Sequence, residues 1–448
     1  MFTRDKNFYK TFFRLCLALM LEQAVILSVN LADNMMLGTY SEAALSGVAA
    51  VNQIQFVFQQ VVYAIGNALI MLGSQYWGQK RLGEIRAVSA IGVKLEIALA
   101  LLLFTAVSIF PEGALRIFTS QPAFVEQGVA YLKIIRFSYI FFALTAVLLS
   151  TMRVVESVKI ALRVSVVSLL INVSINYLLI AGNFGAPEMG VRGAAIGTLT
   201  ARVVEFCIVM AYVLRDRKLG MRLKDLLGWN AQLARDFGRV AMTTLTAALL
   251  WGVAIAMQTV ILGHMDDSAI AAQSISNTVF LLLKVAATGA SSAAAVIIGK
   301  TVGEGDMNKL RLYARTLQLL FIGVGLLLGV IMFVVRIPLL SIYRAEITPE
   351  TYRLANTYML IQATVIMFTS YQMPVNTGII RGGGDAKFIL IVDTISVFTF
   401  VPLAALGGLV LGWPPIAVII CVNIDQFLKC IPAFIRCNRY KWVRKLTR

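Results

Sequence analysis

The chain has 448 residues, of which 59% are hydrophobic and only 14% charged, and its mean hydropathy is +0.80. So much apolar surface exceeds what one soluble core buries, which excludes a soluble globular domain and points to a polytopic membrane protein. The net charge of +17 raises a nucleic-acid binder as the rival class, and the placement of the basic residues decides between the two.

A helix that crosses a bilayer needs about 20 apolar residues. In chain order, about twelve such runs lie near residues 15–38, 48–76, 87–110, 128–151, 164–182, 193–214, 240–263, 270–299, 316–335, 354–378, 388–410 and 414–435. A transmembrane barrel would show alternating segments of about ten residues instead. The expected fold class is therefore all-α. The first run follows a basic segment but is too long for a signal-peptide core, so it is kept as a span. The inner connections, counted from an inside N-terminus, hold most of the 40 Lys and Arg residues. The outer ones carry only Arg116, Arg192, Arg336, Arg344 and Arg353. This asymmetry predicts cytoplasmic N- and C-termini and accounts for the basic charge without a nucleic-acid partner. The five cysteines follow no metal-ligand spacing and read as small apolar residues.

Charged residues inside the spans are the functional candidates, because each costs about 2.5–3.5 kcal/mol at a helix centre on insertion scales. Asp33 leads, with no basic neighbour within a helical turn. Glu22, beside Gln23, and Asp393 lack a partner at helical spacing, and Lys284 stands alone in the eighth span. Each could line a cavity or pair with another helix. Arg202 with Glu205 and Asp425 with Lys429 have i,i+3 and i,i+4 spacing and read as local pairs. Pro374 and Pro402 are expected to shape or hinge their helices. Met35, Met36, Phe56, Phe58, Trp251 and Met257 suit either lipid-facing packing or an adaptable cavity. His264, beside Asp266 and Asp267, is expected in a solvated external turn.

The sequence also repeats itself. A shift of 225 residues lays Gly38 on Gly263, Glu42 on Asp267, Ala44 on Ala269, Asn52 on Asn277, Gly78 on Gly303 and Arg86 on Arg311. A shift of 228 lays Arg153 on Arg381 and Lys159 on Lys387. This implies two six-helix lobes, 1–220 and 221–448, joined by a basic connection at about 215–239. An even number of spans gives both lobes one orientation, so the repeat is parallel, an arrangement used by secondary transporters. Asp33 faces Gln258 across the repeat and Glu22 faces Ala247, so the second lobe lacks both acids of the first helix.

The motifs carry a family resemblance. Leu31-Ala32-Asp33-Asn34 to Leu37-Gly38, then Ser41-Glu42-Ala43-Ala44-Leu45, resembles the first-helix signature of the multidrug and toxic compound extrusion (MATE) transporters. Gln75-Tyr76-Trp77-Gly78, the segment from Asn172 to Leu179, Gly193-Ala194-Ala195-Ile196-Gly197-Thr198 and Arg381-Gly382-Gly383-Gly384-Asp385 extend the likeness over most of the chain. The resemblance implies two six-helix bundles forming a V, and export of organic, often cationic, compounds against inward H⁺ or Na⁺. It places a cation-coupling site at Asp33, Asn172, Asn176 and Thr198. That set is chemically sensible, since hard cations want oxygen ligands, and Asn172 and Asn176 share one helical face. The alternative is that the two amides only join helices. Some relatives have a second carboxylate where this chain has Asn176, which favours H⁺ over Na⁺ at Asp33. Others place acids in the seventh and tenth helices, and neither helix has one here.

The implied activity is that of an antiporter in a bacterial-type plasma or inner membrane, with no cofactor. Its partners are organic small molecules and the bilayer, and a single chain is expected to be the functional unit. A lipid-linked saccharide flippase of the same superfamily is the alternative, but the spans hold few of the basic residues its groove would need. A channel would pass larger currents than an alternating-access cycle supports. An enzyme is not expected, since the sequence has no phosphate loop, metal-ligand cluster or nucleophile–base motif.

Overall fold

The computed structural model describes residues 3–119, 121–263, 267–343 and 347–447. His264, Asp266 and Arg344 lie outside the described residues, as does the side chain of Asp267. Among the described residues the regular structure is helical throughout, as the apolar runs require. The elements are α1 (Lys6–Tyr40), α2 (Glu42–Gly78), α3 (Leu82–Ile109), α4 (Pro111–Arg116), α5 (Pro122–Ile135), α6 (Ser138–Val154), α7 (Lys159–Leu179), α8 (Val191–Arg215), α9 (Leu223–Leu227), α10 (Ala231–Gly263), α11 (Asp267–Glu304), α12 (Met307–Tyr343), α13 (Pro349–Met373), α14 (Ala386–Ala405), α15 (Pro415–Leu428) and α16 (Cys430–Asn438).

Among the described residues ten helices are long and apolar enough to cross a membrane, or eleven when the bent pair α5 and α6 counts as one span. The pair meets at 55° around Arg136 and Phe137, inside what the sequence reads as one run over 128–151. The run over 354–378 is a helix of full length, α13, but it is too polar to qualify. Large apolar side chains such as Leu102, Phe110, Leu327, Phe398 and Val410 are more than half exposed, which suits lipid contact rather than water.

Helix ends follow the local chemistry. Ser41 caps α2, its hydroxyl accepting the Ala44 amide at 3.0 Å, and Thr348 caps α13 by accepting the Thr351 amide at 3.1 Å. Pro111, Pro122, Pro349 and Pro415 occupy first-turn positions, where a missing N–H costs nothing. Pro374 instead opens a wider π turn over Pro374–Ile380, in which the Arg381 amide reaches the Asn376 carbonyl at 2.9 Å. Pro402 precedes a second π turn, Leu406–Val410.

The chain forms two compact units. One comprises residues 21–241, with a core that includes Val62, Leu132, Ala143 and Ala195. The other comprises residues 1–20 and 242–448, with a core that includes Met332, Tyr358, Met359 and Ile419. Relative to the lobes drawn at 1–220 and 221–448, the first twenty residues pack with the second unit, and 221–241 with the first. In each unit the segment after the last long helix folds back onto that unit. Leu219 and Met221 are buried in the first, where the Leu219 carbonyl accepts Arg86 at 2.9 Å. Trp442 is buried in the second against Gly383, and Gly384, at φ +107°, lies against the Arg444 backbone. The Asp385 carboxylate is clamped there by Arg436 and Arg444.

Candidate functional site

The site is assembled in the first unit from α1, α7 and α8. Asn172 and Asn176 are one turn apart on α7, and both are buried. The Asn176 amide donates to Asp33 Oδ1 at 2.6 Å and to Asn172 Oδ1 at 3.4 Å. The Asn172 amide donates to Thr198 Oγ1 at 3.1 Å. All four residues proposed from the family motif therefore form one hydrogen-bonded chain. The pairing depends on a close approach of α7 to α8 at Gly197. A Cβ there would overlap the Asn176 carboxamide oxygen and lie 3.1 Å from its Cγ.

Two further groups complete the site. Arg202 is one turn beyond Thr198 on α8 and acts electrostatically on Asp33, while its guanidinium bonds Glu205 at 2.8 Å. The sequence reading of Arg202 and Glu205 as a local pair is correct, but it missed the reach to Asp33. Tyr131 of α5 is buried, interacts with the Thr198 hydroxyl and lies within the field of Asp33. No spacing rule singles out an aromatic residue in an apolar helix, so only the packing reveals it. A cavity of about 40 Å³, lined by Asn30, Ser168, Asn172, Thr198, Arg202 and Glu205, adjoins these groups. That is room for a few water molecules among polar partners.

The secondary candidates are placed elsewhere. Glu22 is buried and bonds Arg153 of α6 at 2.6 Å, so it is paired rather than free. Arg153, assigned from sequence to an inner connection, lies within the last turn of α6. Gln23 is half-buried on α1. The other three belong to the second unit. Gln258 is half-buried on α10. Lys284 of α11 stacks over the Trp251 ring at 5.1 Å. Asp393 of α14 joins the pair read from sequence: the Lys429 amine bridges Asp393 and Asp425, each at 3.0 Å. Ser396 donates to Asp425 at 3.0 Å, and Gln426 links this cluster to Thr369 and Gln372 of α13 at 3.2 and 2.7 Å. Such bridging removes the cost of isolated intramembrane charges.

Comparison with known proteins agrees with this architecture. The chain is 27% identical over 393 residues to a probable multidrug resistance protein NorM of Thermotoga maritima, covering 87% of this chain and 83% of that one. It is 23% identical over 376 residues to the multidrug resistance protein MdtK of Yersinia enterocolitica, covering 82% and 80%. A MOP superfamily transporter from Pyrococcus furiosus has the same fold, with a TM-score of 0.87 over 98% of both chains at 16% identity. The model of the MatE family matches twice, over residues 18–178 and 237–406, one match on each side of the basic connection. With the duplicated helical fold and these matches over most of its length, the chain belongs to the MatE family of membrane transporters.

Proposed function

We propose that the chain is a secondary active exporter of organic, often cationic, compounds, exchanged for H⁺ by alternating access, with Na⁺ as the second candidate ion. The membrane is a bacterial-type plasma or inner membrane, both termini are cytoplasmic, and one chain is the working unit. The names of the relatives, multidrug resistance proteins, support the substrate class.

The observation that carries the reading is the hydrogen-bonded chain from Asp33 through Asn176 and Asn172 to Thr198. A proton on Asp33 cancels its charge and weakens its hold on the Asn176 amide, so α1 and α7 separate more easily. Charge-assisted hydrogen bonds are roughly twice as strong as neutral ones, which gives protonation leverage over helix packing. One feature favours H⁺. The Asn176 amide presents N–H rather than oxygen to Asp33, whereas a hard cation wants several oxygen ligands. An ion can bias the two access states only by its differential affinity for them. Each inward positive charge draws about 2.3 kcal/mol per 100 mV from the membrane potential.

The test is ethidium transport by proteoliposomes under separately imposed H⁺ and Na⁺ gradients. Wild-type protein should respond to the H⁺ gradient and Asp33→Asn should lose that response. Wild-type transport rates in Asp33→Asn would remove Asp33 from the mechanism.

A further inference from the structure

One buried carboxyl group in the first unit belongs to none of these networks. Glu96 sits near the middle of the 28-residue α3, is 0% exposed, and has no hydrogen-bond partner for either carboxyl oxygen. Its surroundings follow from the helix register. Thr151 of α6 donates to Ser89 at 3.0 Å, and Gly92 packs against Val147 of α6 and Leu69 of α2. Glu96 is one turn beyond Gly92 on the same face. The antiparallel register sets it level with Ala143 of α6 and Ile65 of α2, both buried apolar residues.

The charged groups on neighbouring elements are engaged elsewhere or are not fully buried. On α3 itself, Lys94 donates to the Leu227 and Gly228 carbonyls and Arg86 to the Leu219 carbonyl, while Glu84 pairs with Arg81. On α6, Arg153 holds Glu22, and the Tyr139 hydroxyl is itself without a partner. On α2, Tyr63 lies in the fields of Arg202 and Glu22, and Tyr76 lies under the Arg81 guanidinium. At the ends of α3, Glu112 pairs with Arg116 on α4, and on α9 Asp225 caps its own helix while Lys224 is exposed. Near Phe237 on α10, Arg235 and Arg239 are exposed and Asp236 is half-buried. No charged side chain offsets Glu96.

An ionised carboxylate cannot persist uncompensated in such a layer, so in this arrangement Glu96 holds a proton. Even the neutral acid forfeits hydrogen bonds that water would supply, and an orphaned buried polar group calls for a state in which it is satisfied. A linked pair of hydroxyls that could take up its proton lies on one side, whereas the buried Tyr139 hydroxyl toward the other end has no partner. The Ser89–Thr151 pair and the buried Ser74 lie toward the end of the bundle where α3 begins. The α1–α2 and α2–α3 connections are both short, so that end is opposite the one near Asp33.

We propose that Glu96 is a second exchangeable proton site, releasing its proton past the Ser89–Thr151 hydroxyls at the end of the bundle opposite Asp33. The exchange step rests on the H⁺-antiport reading above, whereas the protonated state of Glu96 does not. Two measurements test the proposal on the full chain in liposomes. The first is the proton-to-ethidium ratio, obtained from the pH gradient at which net flux vanishes with the voltage clamped at zero; Glu96→Gln should lower it by one proton while ethidium export continues. The second needs no variant: dicyclohexylcarbodiimide, which modifies protonated carboxyl groups in apolar surroundings, should label Glu96 in wild-type protein at acid pH and progressively less as pH rises. An unchanged ratio in Glu96→Gln, or no label on Glu96 at any pH, overturns the proposal. Ethidium export indifferent to the proton gradient, with the Glu96 label retained, overturns the antiport reading alone and leaves the proton on Glu96 established.

Discussion

Gly197→Ala tests the geometry of the Asp33 site without replacing a polar side chain. The added methyl would overlap the Asn176 carboxamide oxygen and approach Asn176 Cγ to 3.1 Å and the Asn172 carbonyl to 3.4 Å. The methyl both presses α8 away from α7, through the Asn172 carbonyl, and turns the Asn176 amide off Asp33. Overpacking of this kind costs about 1–3 kcal/mol, and losing a hydrogen bond to a charged group about 1.5–3 kcal/mol. The higher helix propensity of Ala returns about 1 kcal/mol. The net loss is about 1.5–5 kcal/mol, read as thermal stability in detergent and as proton-driven ethidium transport in proteoliposomes. Two comparisons make the result specific. Gly83→Ala, where a Cβ meets nothing within 4 Å, should leave both readouts intact. In an Asn176→Ala background the added methyl has no amide to displace, so the double variant should be no worse than Asn176→Ala alone. Wild-type stability and transport in Gly197→Ala, or additive losses in the double variant, would refute the reasoning.

Three further outcomes follow from the packing. Glu22→Gln leaves Arg153 without its counter-charge in a buried setting and should cost about 3–5 kcal/mol of stability. The double variant Glu22→Gln with Arg153→Met should recover most of that loss, as measured by thermal unfolding. Trp442→Ala empties the space over Gly383 and should cost about 3–5 kcal/mol, releasing the segment after α16 to limited proteolysis. At the other terminus, the Tyr313 hydroxyl donates to Asp5 and holds that carboxyl below its ordinary range. A depressed carboxyl contributes stability that is complete above its ordinary range and is lost as pH falls through the depressed value. Hydrogen exchange of residues 3–8 should therefore quicken in acid for wild-type protein. In Tyr313→Phe it should already be faster at neutral pH, and equal protection in the two proteins would disprove the tether.

Composition and apolar run length sufficed for the all-helical membrane class, because hydrocarbon tolerates only backbones that satisfy their own hydrogen bonds. The motif around Asp33 and the pair Asn172 and Asn176 also named the residues that meet, since one helical face and one costly carboxylate are legible in a linear chain. Other features required the tertiary structure. The pairing of Glu22 with Arg153 spans 131 positions, and the bridging of Asp393 by Lys429 joins two helices; neither has a spacing signature. The bend between α5 and α6 hides inside a continuous apolar run. Tyr131 gains its place only through the approach of α5 to Thr198. Glu96 was not among the acids singled out from the sequence, and its lack of partners is a property of the packed bundle. Sequence alone determined which groups are expensive in a membrane, because that cost is intrinsic to each side chain. Only the tertiary structure decided which costs are offset, because compensation depends on neighbours from other helices.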